Sequence, residues 1–181
     1  VVLPILDAWL NERFLGTKVT YGDDRSLTTW MLKAGYHTVY TDRVQAYTIA
    51  PNNWNQLFKQ QLRWKKSWII NGLFTSKFIV KHDIFTALFY FLPMFLFSII
   101  TPFVAFYNVY LHPFTSMQFP LFYFLGMLLI TSILVLYYKL LRRNNNLWPY
   151  LLLWQFLTAV FFSYIIIYAA FKIKDRGWGT R

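Results

Sequence analysis

The sequence predicts a mainly α-helical membrane protein in which the edge of an α/β domain and an interfacial amphipathic helix precede the membrane helices. Three observations carry this expectation. Of 181 residues, 57% are hydrophobic, 22% aromatic and only 14% charged, far from the balance of a soluble domain. No charged residue lies between Asp83 and Lys139. Residues 1–83 carry eleven Lys/Arg and six Asp/Glu, whereas residues 84–171 carry only Lys139, Arg142 and Arg143 and no acid. Two parts of the chain therefore face different solvents. The composition argues against a water-soluble monomer and excludes an open coil. With no cysteine, disulfides, thiolate metal sites and a cysteine nucleophile are ruled out.

Residues 1–53 read as the α/β edge. Lys18 to Tyr21 is a short β-prone run, Gly22 to Asp24 a turn, and Arg25 to Ala34 a helix closed by Gly35 at the C′ position. Tyr36 to Thr41 and Val44 to Ile49 read as further strands. Pro51 ends this region, and Asn53 with Gln56 makes an approximate capping box for a helix from Trp54 to about Phe74. The region 54–82 has six basic residues, no acid, and interleaved Trp, Leu, Phe and Ile, the composition of a helix lying in the headgroup plane. Because the adjoining stretch is lipid-like, membrane lipid or a phosphate-bearing substrate fits this charge better than nucleic acid.

Residues 83–171 read as the membrane region. Ile84 to Leu111 and Phe119 to Tyr138 are each long enough to span a hydrocarbon core of about 30 Å. His112, Pro113, Thr115, Ser116 and Gln118 are expected in the turn between them. A third apolar segment, Leu147 to Phe171, carries aromatic residues near both ends, as an interfacial belt would. The basic clusters Lys77/Lys81, Arg142/Arg143 and Lys172/Lys174/Arg176 all belong on the cytoplasmic side, which three full crossings cannot deliver. One segment must therefore re-enter or lie in the interface. Leu147 to Phe171 is the expected one, and the proline-broken Ile84 to Leu111 the alternative. Residues 172–181 form a short glycine-containing tail. The chain starts at Val1 without a leader-like segment, so it is expected to be a carboxy-terminal piece of a longer protein.

Three constellations carry chemistry. Gly22-Asp23-Asp24-Arg25 places two carboxylates at a turn before a helix. Two readings fit it: an Asp that caps the helix in favourable interaction with its dipole, or one carboxylate that positions while the other acts as general base. Gln60-Gln61-Leu62-Arg63-Trp64 sets Gln60, Arg63 and Trp64 on one helical face. That face reads either as a membrane anchor or as a sugar-phosphate site, with Arg gripping a diphosphate and Trp supplying a platform for a pyranose ring. Gly177-Trp178-Gly179-Thr180-Arg181 reads either as a frayed tail or as a mobile loop over substrate.

In this order, GDDR, QQLRW and WGTR, preceded by Asn11 to Gly16, the chain resembles the carboxy-terminal half of processive family 2 glycosyltransferases, most nearly the bacterial hyaluronan synthases. The resemblance runs over nearly the whole chain. It implies a GT-A-type catalytic domain ending near residue 53, with Asp24 as catalytic base beside Asp23. It implies substrate-binding roles for Arg25, Gln60, Gln61, Arg63 and Trp64, and a gating role for Trp178, Thr180 and Arg181. The implied partners are UDP-sugars, a growing polysaccharide and membrane lipid, at a multi-pass cell-membrane site with its catalytic side cytoplasmic. The implied cofactor is Mg2+ or Mn2+. The family's uridine-binding start and DxD metal ligands do not occur in these residues, so no metal site is expected here, and this piece alone should be inactive. The alternatives are a chitin-type or other β-glycan synthase of the same family, and a non-catalytic transporter or anchor.

Overall fold

A computed structural model describes residues 3–19, 22–39, 41, 43–44 and 47–175. Trp178, Thr180 and Arg181 lie outside the described residues. The chain forms two compact units, one made of residues up to Phe97 together with those from Ile165, the other of Ser98–Tyr164.

The first unit opens with helix α1 (Leu3–Leu10) and a hairpin of β1 (Arg13–Phe14) and β2 (Thr17–Lys18), paired antiparallel with Arg13 opposite Lys18. Leu15 and Gly16 form its two-residue loop with φ of 49° and 79°, the doubly left-handed geometry that matches strand twist. Of the β-prone run expected at Lys18 to Tyr21, only Lys18 is in a strand, with Thr17 and a local partner; Val19 is not, and Thr20 and Tyr21 lie outside the described residues. Helix α2 (Asp23–Lys33) ends as expected. Gly35 N–H donates to Leu32 O and Tyr36 N–H to Met31 O, a Schellman closure around a glycine at φ 89°.

The strands expected at Tyr36 to Thr41 and Val44 to Ile49 are absent among the described residues, which there have no regular structure. Val39, Tyr47 and Ile49 are 89%, 92% and 95% exposed. A β-prone run becomes a strand only against a paired neighbour and a packed face, and the described residues supply neither. Among the described residues this region shows one hairpin beside helices.

Helix α3 (Trp54–Ser76) starts where the capping signal places it. Asn53 Oδ1 accepts from Gln56 N–H at 2.9 Å, and Gln56 Oε1 in return accepts from Asn52 N–H at 3.1 Å. A short turn, α4 (Ile79–His82), follows. Helix α5 (Leu92–Phe106) is preceded by a wider π-type turn, Thr86–Phe91, in which Leu92 N–H reaches Ala87 O just before Pro93. Gly72 of α3 meets Phe95 so closely that an added Cβ would stand 2.2 Å from its ring.

A second π-type turn, Tyr107–Leu111, leads into α6 (His112–Ser116), and α7 (Leu121–Leu141) follows. Here the sequence expectation of a turn at His112 to Gln118 needs correction. His112 N–H bonds Tyr107 O ahead of Pro113, and the hydroxyls of Thr115 and Ser116 cap the carbonyls of Leu111 and His112, so helix continues to Ser116. The chain turns at Met117, at φ 53°. Helix α8 (Trp148–Leu157) runs into a third π-type turn, Thr158–Phe162, and after a break at Ser163 and Tyr164 comes α9 (Ile165–Phe171).

Thr86–Ser116 and Leu121–Leu141 are long and apolar enough to cross a membrane. A third crossing exists if the broken pair Trp148–Phe162 and Ile165–Phe171 counts as one span. Ile84 to Leu111, the alternative for a re-entrant segment, is helical from Thr86 through both prolines. The interruption falls instead in Leu147 to Phe171.

Candidate active site

The site is assembled where α2 packs on α3. Gly22 is the N-cap residue of α2, at φ 75°, a region open to glycine and strained for other residues. Its second constraint is spatial: a Cβ there would stand 1.9 Å from Ser67 Oγ. Ser67 is buried, and Asn71 Nδ2, one turn on, donates to Ser67 O at 3.0 Å and to Ser67 Oγ at 3.3 Å. A small residue on a fixed seat therefore sets how near the acidic turn comes to α3.

With Gly22 at the cap, Asp23 and Asp24 are the first two residues of α2, and no side chain caps the helix. The expectation that an aspartate caps the helix is thereby corrected. Both carboxylates are exposed in the first turn, where the helix dipole and unbonded N–H groups favour negative charge. Ser26 N–H bonds Gly22 O at 2.8 Å, so the cap contributes its carbonyl to the helix instead.

A cavity of about 570 Å3 is lined by Gly22, Asp23, Asp24, Arg25, Arg63, Trp64 and Ser67. The acidic turn and the Arg-Trp pair, 38 residues apart in the case of Arg25 and Arg63, thus share one space. Trp64 is 52% exposed. Gln60 and Gln61 are not among the lining residues: Gln61 is buried and Gln60 half-buried. Ser67 was not singled out from sequence, although it stands at i+4 and i+3 from Arg63 and Trp64, on the same helical stripe.

The electrostatics are mixed. Arg25 lies over the Trp68 ring at 4.7 Å. Lys65, half-buried, has its pKa lowered first by burial and then by the charge of Arg25. Cations crowded closely enough to repel one another beside a cavity welcome a multiply charged anion, and Arg offers the planar fork that fits phosphate oxygens. Lys66 faces away: it is 4% exposed and donates from Nζ to Asp175 O at 3.0 Å, joining α3 to the chain after α9. Burial lowers its pKa most, Asp175 raises it and Lys172 lowers it. Phe58 and Tyr168, with ring centroids 6.1 Å apart, add to the α3–α9 contact.

No three His, Asp or Glu side chains converge on a point among the described residues. Among the described residues the cavity's acids are Asp23 and Asp24, a pair that would leave a divalent cation to take its other ligands from water, substrate phosphate or residues beyond these.

No protein-family model matches the chain, and no solved structure matches it. Curated relatives do. The chain is 31% identical over 184 residues to hyaluronan synthase 3 of Xenopus laevis, covering 97% of this chain and 30% of the relative. It is 30% identical to hyaluronan synthase 3 of Homo sapiens, covering 97% of this chain and 31% of that protein. Over 79 residues it is 40% identical to hyaluronan synthase 1 of Xenopus laevis, covering 44% of this chain and 13% of the relative. The chain thus spans about a third or less of the length of the relatives it matches. Over nearly its whole length, it is similar to part of the hyaluronan synthases.

Proposed function

We propose that the protein containing this chain is a membrane-embedded, processive, inverting glycosyltransferase that polymerises UDP-N-acetylglucosamine and UDP-glucuronic acid into hyaluronan and exports the product. The observation that carries the reading is the cavity shared by Asp23, Asp24, Arg63 and Trp64, in a chain similar to hyaluronan synthases over 97% of its length. In this reading residues 1–53 end a GT-A-type catalytic domain, and the basic clusters hold the site at the cytoplasmic face of the cell membrane.

The chemistry follows from the residues in the cavity. The acceptor hydroxyl attacks the anomeric carbon of the donor from the face opposite the leaving group, and its oxygen forms the new glycosidic bond as the bond to UDP breaks. Asp24 takes the hydroxyl proton. The electron pair leaves on the diphosphate, and Arg63, with Arg25 beside it, faces the charge that develops there. The Trp64 ring holds the acceptor sugar flat against α3 while the chain is extended. Water excluded by a closed site would strengthen each of these charge interactions. Any divalent cation would draw most of its ligands from beyond these residues.

The test is incubation of the full-length protein in membranes with each UDP-sugar singly and with both, followed by digestion of the product. Polymer formed only from the pair, and cleaved by a hyaluronan-specific hydrolase, is the expected result. Polymer from UDP-N-acetylglucosamine alone that a chitinase cleaves would reassign the product to the chitin type. UDP release from neither donor would overturn the enzyme reading.

A further inference from the structure

Glu12 has no place in the reaction outlined above, yet its carboxylate joins the elements that carry the acidic turn. Glu12 Oε2 accepts from Ser26 Oγ and, at 3.2 Å, from Trp30 Nε1. Both donors are on α2, four residues apart, so they face the same side one turn apart. Ser26 is 2% exposed and Trp30 half-buried. Glu12 is itself held by its backbone: its N–H donates to Trp9 O at 3.1 Å and its carbonyl accepts from Val19 N–H at 3.0 Å. On its other side the Trp30 ring meets Phe74 of α3 at 5.0 Å, with Lys33 Nζ over both rings.

The apolar packing of α2 on this side, Trp30 against Phe74, borders open space. A second cavity of about 630 Å3 lies there, lined in part by Glu12, Phe14, Trp30, Leu73, Phe74 and Lys77. Beside open space a helix can tilt or slide unless directional bonds hold it. Both bonds here end on one side-chain oxygen of Glu12, which fixes the face of α2 that meets it. The pose of α2 is thus set at two points: the seat of Gly22 on Ser67 at its start, and the clamp of Glu12 on Ser26 and Trp30 one to two turns along.

We propose that Glu12 is a positioning residue that holds α2 so that Asp23 and Asp24 face Arg63 and Trp64 across the cavity. The inference rests on the glycosyltransferase reading of that cavity, and it predicts an effect on the reacting geometry rather than on donor affinity. In the full-length protein, Glu12→Ala lowers kcat for UDP release by about 10- to 100-fold, as expected for an ångström-scale displacement of a base. KM for the UDP-sugars stays within about twofold. Glu12→Gln restores kcat to within about threefold of wild type, because an amide oxygen still accepts both donors. Trp30→Phe keeps the ring, removes one donor, and adds little to the loss in Glu12→Ala, as two members of one contact should.

Wild-type kcat in Glu12→Ala overturns the proposal. So does a loss of activity that only tracks a fall in membrane-inserted protein, with Glu12→Gln no better than Glu12→Ala. A second measurement needs no activity. This chain has no cysteine, so spin labels at Thr28→Cys on α2 and Lys59→Cys on α3, in a full-length background freed of other cysteines, report the distance between the helices. One narrow distance population is expected with Glu12 present and a broadened or shifted one with Glu12→Ala; an unchanged distribution sinks the clamp. A wild-type protein that releases no UDP would overturn the functional reading, while the label distances would still decide the clamp.

Discussion

The contact between α2 and α3 and the helices of Ser98–Tyr164 solve opposite burial problems. Around α2 and α3 the buried side chains are mostly polar or small: Ser26, Thr29, Gln61, Lys66, Ser67 and Asn71, with Ile70 as the large apolar one. In Ser98–Tyr164 large apolar residues such as Phe122, Leu129 and Ile130 are exposed, and polar side chains turn back on backbone carbonyls. Asn108 Nδ2 bonds Val104 O, Thr131 Oγ1 bonds Met127 O, and Ser163 Oγ bonds Ala159 O. At the third π-type turn Tyr164 OH serves Ala159 O at 2.9 Å and Tyr110 OH serves Val160 O at 2.8 Å. Where lipid is the solvent, apolar side chains face it at no cost and every backbone group needs an internal partner. At the α2–α3 contact it is the polar groups that are gathered inward, some of them spent on their own helix: Thr29 Oγ1 donates to Arg25 O and Asn71 Nδ2 to Ser67 O. Asn108 fits the first pattern, its Nδ2 spent on a carbonyl of its own helix.

If this contrast is right, substitutions at the α2–α3 contact should cost activity and substitutions in the apolar unit should cost only stability. The largest effect is expected from Asp24→Asn, which should lower UDP release by about 10²- to 10⁴-fold while membrane insertion stays normal. Turnover close to wild type would remove Asp24 as the base. Next is Gly22→Ala, which meets Ser67 and adopts a strained φ costing about 1–3 kcal/mol. Its kcat should fall by roughly tenfold or more, and adding Ser67→Gly should recover part of it by clearing the contact. A full-activity Gly22→Ala protein would break the idea that a close seat sets the turn.

Trp64→Ala should come third, losing about 1 kcal/mol of ring contact. Size-exclusion analysis of the polymer should show shorter chains, and polymer of normal length would return Trp64 to the role of an interfacial anchor. Asn53→Ala removes the cap of α3, worth about 1 kcal/mol, and should lower the melting temperature of the full-length protein with kcat unchanged. Smallest is Tyr110→Phe, which leaves Val160 O without its hydroxyl partner. A loss of about 0.6 kcal/mol, typical of a hydrogen bond between membrane helices, should appear in denaturant titration and not in UDP release.

Much of the local structure was legible because its signals are local. Asn53 and Gln56 marked the start of α3, Gly35 the end of α2, and the charge-free stretch the membrane helices. Asp23, Asp24, Arg63 and Trp64 were legible as motif residues. Ser67, Gly22 as a point of close approach, and Glu12 were not, since a serine, a glycine and a glutamate acquire these roles only from what stands opposite them. Among the described residues the strands expected after Gly35 do not form for the same reason, because β-propensity is redeemed only by a partner, and none of the described residues pairs with them there.

By itself, then, the sequence determined which stretches suit lipid, where helices begin and end, and which side chains carry usable chemistry, because periodicity, capping and composition act over a few residues. Only the tertiary structure decided that the acidic turn and the Arg-Trp pair open onto one cavity, that Gly22 rests on Ser67, and that helix persists to Ser116. Those outcomes depend on contacts between residues far apart in the chain, or on hydrogen bonds that exist only once the backbone has closed around them.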